Sequence, residues 1–207
     1  MESRVFHVKH AGILARYSDA QANLEKYANW LASAGIERGL LGPREQERIW
    51  DRHIANCAVV EELIPENSVV YDIGSGAGLP GLPIALVRPD LNLVLIEPLL
   101  RRANFLNEVV TDLGLTNRVQ VIRDRAESAK LPTANVVTAR AVAPLGKLLT
   151  WALPLVSRGG LVLAMKGASA QEEIEAAESE IAGRQTTIEL CGHGVVEPAT
   201  LVVKVVC

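Results

Sequence analysis

The sequence predicts an α/β fold: a mostly parallel seven-stranded sheet with helices on both faces, carrying an N-terminal helical extension. Three observations predict it. Residues 69–81 read VVYDIGSGAGLPG, an apolar run that ends in three closely spaced glycines and passes into a helix start. Beyond residue 65, short β-rich runs alternate with helical stretches, the pattern of strands joined by crossover helices. Between the last two β-runs there is no helical stretch, only the loop GHGVVEPA, so those two strands should pair antiparallel at an edge.

Taken in order, residues 19–34 (DAQANLEKYANWLASA) place Leu24, Tyr27, Trp30 and Leu31 on one side of a helix, with Gly35 expected to stop it. A second helix is expected over 43–63, opened by Pro43, with Ile49, Trp50, Ile54, Cys57, Val60 and Leu63 as its packing stripe. Arg44, Arg48, Arg52 and Asn56 recur every four residues on another face, which is either a solvated charged face or a surface for phosphates. His53 falls at the stripe's edge, where a buried, hydrogen-bonded histidine and a functional one are both compatible with the pattern. These helices form an extension over 1–65 packed on a core domain over 66–207. Strands are expected at 69–73, 93–97, 119–123, 135–140, 160–166, 187–191 and 201–206, with helices at 82–87, 101–113, 145–156 and 170–181.

Composition narrows the class. The 207 residues suffice for one ample domain, with 49% hydrophobic and 22% charged residues. Three cysteines, Cys57, Cys191 and Cys207, are too few and too scattered for a disulfide framework or a metal cluster, and no metal is expected. No apolar run approaches the roughly 18 residues of a membrane span. The start of the chain, with Glu2, Arg4, His7 and Lys9, lacks a signal-peptide core, so a cytoplasmic protein is expected. The net charge of −3 argues against a general nucleic-acid binder but leaves room for a local basic surface.

A strand, a glycine loop and a helix together present backbone N–H groups to a ligand at the carboxyl end of the sheet. Two ligand classes use this device. Gly76, Gly78 and Gly81 match the dinucleotide spacing GxGxxG only if the strand runs on through Gly74; read from Gly74, position 79 is Leu. As it stands, DIGSGAG is an acid followed by GxGxG, the pattern of the class I S-adenosylmethionine fold. Asp72 there offers a carboxylate to a ligand that carries a sulfonium and an amino group and no pyrophosphate. Glu97 ends the second strand, where an acid accepts from both ribose hydroxyls. RDRAE at the third strand's end brings Asp124, Ala126 and Glu127 near the expected adenine, and TARAVA at the fourth sets Arg140 at the lip where cofactor and methyl acceptor meet.

That lip lacks the N/D-P-P-Y/F sequence of exocyclic-amine methylation, and no cysteine falls in the expected site loops to act as the nucleophile that pyrimidine C5 methylation requires. Clustered acidic ligands for a metal are missing too. N7 of guanine needs neither a nucleophile nor a strong base, because its lone pair is free at neutral pH. Arg140 could hydrogen-bond the guanine edge or hold cofactor and phosphate, and Lys166, at the fifth strand's end, is a second cation on the same rim.

With these residues in view, the chain resembles the RsmG family, also called glucose-inhibited division protein B. The likeness rests on DIGSGAGLPGLPIALVRPDLNLVLIEPLLRRANFLNEV, the RAE, ARAVA and MKG segments and the upstream IWDRHIANC, and covers nearly the whole chain. Where many members have an N-L-T element, this chain has ASAGIERGLLGPRE. The resemblance implies an enzyme: a S-adenosylmethionine-dependent methyltransferase, releasing S-adenosylhomocysteine, that acts on guanine N7 in 16S rRNA of the small ribosomal subunit. It implies cofactor contacts at Gly74, Leu79, Ala126, Glu127 and Arg140, beside the Asp72, Gly76, Gly78 and Glu97 read from the motif. Arg48, Arg52, His53, Arg101 and Lys166 are the candidate RNA contacts, and a monomer is expected. A small-molecule methyltransferase with the helices as a lid is one alternative, which the set Arg48, Arg52, Arg101, Arg102 and Arg140 opposes. A non-catalytic RNA-binding or assembly protein that retains the fold is another, which the intact acid-and-glycine motif opposes.

Overall fold

The computed structural model describes residues 11–207; the start of the chain with Glu2, Arg4, His7 and Lys9 lies outside the described residues. Strands β1 (Val69–Ile73), β2 (Asn92–Ile96), β3 (Val119–Ile122), β4 (Ala134–Arg140), β5 (Val156–Met165), β6 (Thr186–Cys191) and β7 (Thr200–Val206) form one sheet in the order β3-β2-β1-β4-β5-β7-β6. β1 to β5 run parallel, and β7 is antiparallel to both β5 and β6. From β1 the chain moves outward to β2 and β3 on one side and then returns to build β4 and β5 on the other. This leaves a switch point between β1 and β4, with Ile73 beside Ala139, and crevices for ligands open at such points.

Successive residues of the central strands face opposite sides, and both sides are buried. Val70, Leu93, Leu95 and Val136 pack under helices α1 (Ala11–Arg16), α2 (Gln21–Trp30), α3 (Gly81–Val87) and α4 (Leu100–Asp112). Tyr71, Ile96, Val137, Ala139 and Val203 pack under α5 (Leu145–Ala152) and α6 (Ala170–Ala176), with Ala177 before α7 (Glu178–Ile181). Burial on both faces explains why these strands read as continuous apolar runs rather than as alternating ones. Leu24, Tyr27 and Leu31 are fully buried, as the helical spacing requires, and Trp30 donates to Asp112 Oδ2 at 2.7 Å, fastening α2 to α4.

Four elements differ from the sequence expectation. Gly35 does not stop its helix: the winding widens over Leu31–Gly35, and the turn comes at Gly39, whose φ is +66°. A left-handed residue ends a helix, and Gly35 is instead a buried close approach, a Cβ there falling 3.3 Å from the Trp30 carbonyl oxygen. Residues 43–63 are helical throughout but unevenly wound, tight over Pro43–Arg48, wide over Ile49–Ala55 and tight again over Val59–Leu63. β5 begins at Val156 rather than 160, because the strand passes through its glycines as a bulge opposite Ala134 and Val136. The expected helix over 170–181 is broken at buried Ala177.

Candidate functional site

The loop after β1 turns on three left-handed glycines: Gly74 at φ +67°, Gly76 at +58° and Gly78 at +100°. Their surroundings differ. A Cβ on Gly74 would stand 2.9 Å from Val142, one on Gly78 2.3 Å from Leu82, and one on Gly81, which opens α3, 2.5 Å from Leu95 and 2.8 Å from Asp72 Oδ2. These three let backbone and side chains close together. Gly76 has nothing nearer than the Gly74 carbonyl oxygen at 3.8 Å, so its Cα is open to approach. The loop is held from α2, where fully buried Tyr27 donates its hydroxyl to the Ala77 carbonyl at 2.8 Å.

Asp72, expected to face a ligand's cationic group, is fully buried. One of its oxygens accepts the Gly81 N–H at 3.1 Å and Oδ1 has no partner, so the carboxyl ties the strand end to the start of α3. Burial first, and the neighbouring Glu97 charge after it, push Asp72 up to about 7. Glu97 lies beside the loop with both oxygens engaged, Oε2 by Gly76 N–H and Oε1 by Leu99 N–H, each at 2.9 Å, with Arg102 Nη1 at 3.9 Å. Ala126 is buried against the sheet end, and Glu127 is exposed, 3.6 Å from Arg125. Leu79 is buried in the turn that leads to α3.

At the carboxyl ends of β4 and β5 a cleft of about 880 Å³ is lined by Arg52, Asn56, Arg140, Val142, Lys166 and Leu190 among others. Arg140 Nη2 lies 2.7 Å from His53 Nδ1 and Nη1 lies 3.2 Å from Cys57 Sγ; His53 Nε2 lies 2.8 Å from Glu45 Oε2. Burial, then the Arg140 charge, lower His53 to about 4, so the ring is neutral at physiological pH. Lys166 donates to the Ala143 carbonyl at 2.8 Å and to Glu173 Oε2 at 2.7 Å, and that same oxygen accepts Leu145 N–H. The rim cation therefore also fixes the turn between β4 and α5.

Of the expected RNA contacts, Arg52 and Lys166 line this cleft and His53 is buried behind Arg140. Arg48 is exposed on the 43–48 turn, and Arg101 is exposed at the start of α4, beyond β2. Sequence reasoning passed over Glu45, Tyr27 and Glu173, and it placed Cys57 away from the site, whereas its buried thiol meets Arg140; burial raises that thiol. Arg52, His53 and Arg140 were each singled out in the sequence, but nothing there signalled that they meet. Among the described residues no group of three or more His, Cys, Asp or Glu is placed to hold a metal ion, and no helix is long and apolar enough to cross a membrane.

The parallel sheet with its antiparallel β7, the glycine turn and the acid at the end of β2 define the class I S-adenosylmethionine-dependent methyltransferase fold. A putative S-adenosylmethionine-dependent methyltransferase from Methanococcus maripaludis has the same fold, with a TM-score of 0.62 at 13% identity over 79% of this chain and 90% of that one. An O-methyltransferase from neocarzinostatin biosynthesis, solved with S-adenosyl-L-homocysteine, superposes with a TM-score of 0.57 at 15% identity over 72% of this chain and 52% of that one. The model of the GidB family, rRNA small subunit methyltransferase G, matches residues 20–194, and the chain belongs to that family. The ribosomal RNA small subunit methyltransferase G of Streptomyces coelicolor is 54% identical over 194 residues, covering 91% of this chain and 81% of its own length. Its counterpart from Thermobifida fusca is 56% identical over 186 residues, covering 87% and 78%.

Proposed function

We propose that the protein transfers a methyl group from S-adenosylmethionine to N7 of a guanine in 16S rRNA of the small ribosomal subunit, leaving S-adenosylhomocysteine. Family membership supports the reaction class, and the observation that carries the acceptor is the cation-lined cleft at the carboxyl ends of β4 and β5, whose Val142 stands against Gly74 of the glycine loop. The loop residues fit the cofactor: Gly76 alone among them has open space at its Cα, next to the Glu97 carboxylate. Gly74, Gly76, Gly78 and Leu79 would hold it along the loop, Glu97 at its ribose, and Ala126 and Glu127 at its adenine. Asp72 serves from behind, by fixing the loop to α3.

What the cofactor supplies when bound is a methyl carbon on a sulfonium. The chain's own part is orientation and charge. Among the residues lining the cleft there is no cysteine and no aspartate, and Glu173 is engaged by Lys166 and Leu145. That inventory suits an acceptor whose lone pair is already free, for which alignment can contribute effective molarities of roughly 10^5 M or more. Arg140 donates to the guanine edge or holds cofactor and phosphate, Arg52 meets the RNA backbone, and Arg48 and Arg101 lie further out along the RNA. We assign residues 1–65, whose described helices lie between residues 11 and 63, to an extension on a methyltransferase domain of residues 66–207, acting as a monomer on ribosomal particles in the cytoplasm.

The test is to incubate the protein with labelled S-adenosylmethionine and small subunits from cells lacking the endogenous modification, then map the label. Label at one guanine N7 of 16S rRNA is expected. Label in a metabolite only, or tight RNA binding without label, would overturn the reading.

A further inference from the structure

Two of the cleft's cations are tied to a single carboxylate. Glu45 Oε1 lies 3.3 Å from Arg52 Nη1, while Glu45 Oε2 lies 2.8 Å from His53 Nε2, and His53 Nδ1 lies 2.7 Å from Arg140 Nη2. A guanidinium has donors and no acceptor, so Nδ1 must accept and Nε2 must carry the ring hydrogen, which it donates to Glu45. The imidazole is thereby held in one tautomer and pinned at both ends, with only 5% of the residue exposed. Arg140 Nη1 donates to Cys57 Sγ from the same helical segment. Two of the guanidinium's five N–H groups are committed to residues of the 43–63 segment, with others to spare for the cleft that Arg140 lines.

We propose that His53 is a positioning residue, which sets the Arg140 guanidinium in the orientation that receives the nucleotide acceptor, while Glu45 holds the ring in the tautomer that accepts from Arg140 and also tethers Arg52. The N-terminal helical segment thus fixes a geometry that β4 alone leaves loose. A free arginine side chain has about 2 kcal/mol of rotamer freedom to lose when it binds, which at 1.4 kcal/mol per tenfold is roughly thirtyfold in affinity; holding it beforehand avoids most of that loss. The kinetic consequence rests on the methyltransferase reading proposed above, whereas the relay itself does not.

Two near-isosteric variants separate the halves of the relay. His53→Asn places an amide oxygen near the Nδ1 position, keeping an acceptor for Arg140 and giving up Glu45. His53→Gln places an amide N–H near the Nε2 position, keeping Glu45 and leaving Arg140 without an acceptor. The expected outcome is that Asn keeps kcat/KM for small subunits within about threefold of wild type. Gln should lose roughly ten- to thirtyfold, with S-adenosylmethionine affinity by calorimetry unchanged in both. Equal losses in the two variants, or losses matched by falling cofactor affinity, would overturn the proposal. Rotation of the Arg140 guanidinium, followed by NMR on protein with labelled arginine, supplies a second readout independent of activity: Gln should speed it and Asn should not. Unchanged rotation in Gln overturns the relay. Restrained rotation in a wild-type protein that methylates no rRNA upholds the relay and refutes the function.

Discussion

Asp72 and His53 carry opposite pH signatures, and replacing Asp72 with Asn should lay the second bare. Burial, reinforced by Glu97, raises Asp72 from 3.8 to about 7, so between those values the folded chain keeps a proton that the unfolded chain has lost. Stability therefore falls as pH rises from about 4 to 7, by 1.36 kcal/mol per pH unit, or at most ~4 kcal/mol. His53 runs the other way. Burial and then Arg140 lower it from 6.5 to about 4, so the unfolded chain holds the extra proton and stability rises with pH across that interval, by at most ~3 kcal/mol. In the wild type the two slopes offset each other between about pH 4.5 and 6.5. Asp72→Asn retains an oxygen for Gly81 N–H, while its amide N–H group takes the place of an oxygen without a partner. An unsatisfied amide costs about 1–3 kcal/mol, so above pH 7 the variant should be the more stable by ~1–3 kcal/mol. The measurement is urea unfolding from pH 4.5 to 8.5, checking that the slope m stays constant. The stability difference between variant and wild type should grow with pH up to about 7 and then level off. A difference that is flat with pH, or that favours the wild type above pH 7, refutes an ionised, buried Asp72.

Other substitutions test the loop and the rim. Gly76→Asp should abolish cofactor binding by calorimetry while the protein stays folded by circular dichroism, because the new side chain occupies open space and sets a charge beside Glu97; unchanged affinity would remove the loop from the proposed site. Gly81→Ala should do the reverse of a surface change, costing on the order of 2–4 kcal/mol in urea unfolding, since its Cβ meets Leu95 and Asp72 at under 3 Å; a midpoint equal to wild type would contradict that packing. Arg140→Ala should lower kcat/KM by roughly a hundredfold or more and the melting temperature by only a few degrees, and losses of similar weight in both would mark a structural arginine. Lys166→Met should cost stability as well as turnover, because Glu173 and the Ala143 carbonyl lose their partner, and a purely kinetic effect would argue against that anchoring.

The strands, their parallel order and the glycine turn were legible in the sequence because each is written locally. Apolar runs of four to seven residues, helical spacing between them and closely spaced glycines needing left-handed backbone all lie within a few positions of one another. The two antiparallel edge strands were legible for the same reason, from the missing helix between them. Boundaries set by close approach were not: Gly35 looks like a stop until the Trp30 carbonyl is seen against it, and β5, expected from residue 160, starts four residues earlier through a bulge.

The sequence by itself determined the class of fold, the end of the sheet where a ligand sits and the family, since topology places the carboxyl ends of β1, β2 and β4 together whatever side chains they bear. Tertiary structure alone decided how those side chains are used. Asp72 turned to Gly81 rather than outward, Cys57 came to lie on Arg140, and Glu45 reached Arg140 through His53, a partner 87 residues away in the chain. Hydrogen bonds act over about 3 Å and depend on angle, so contacts between distant segments exist only once packing has brought the segments together, and no periodicity in either segment announces them.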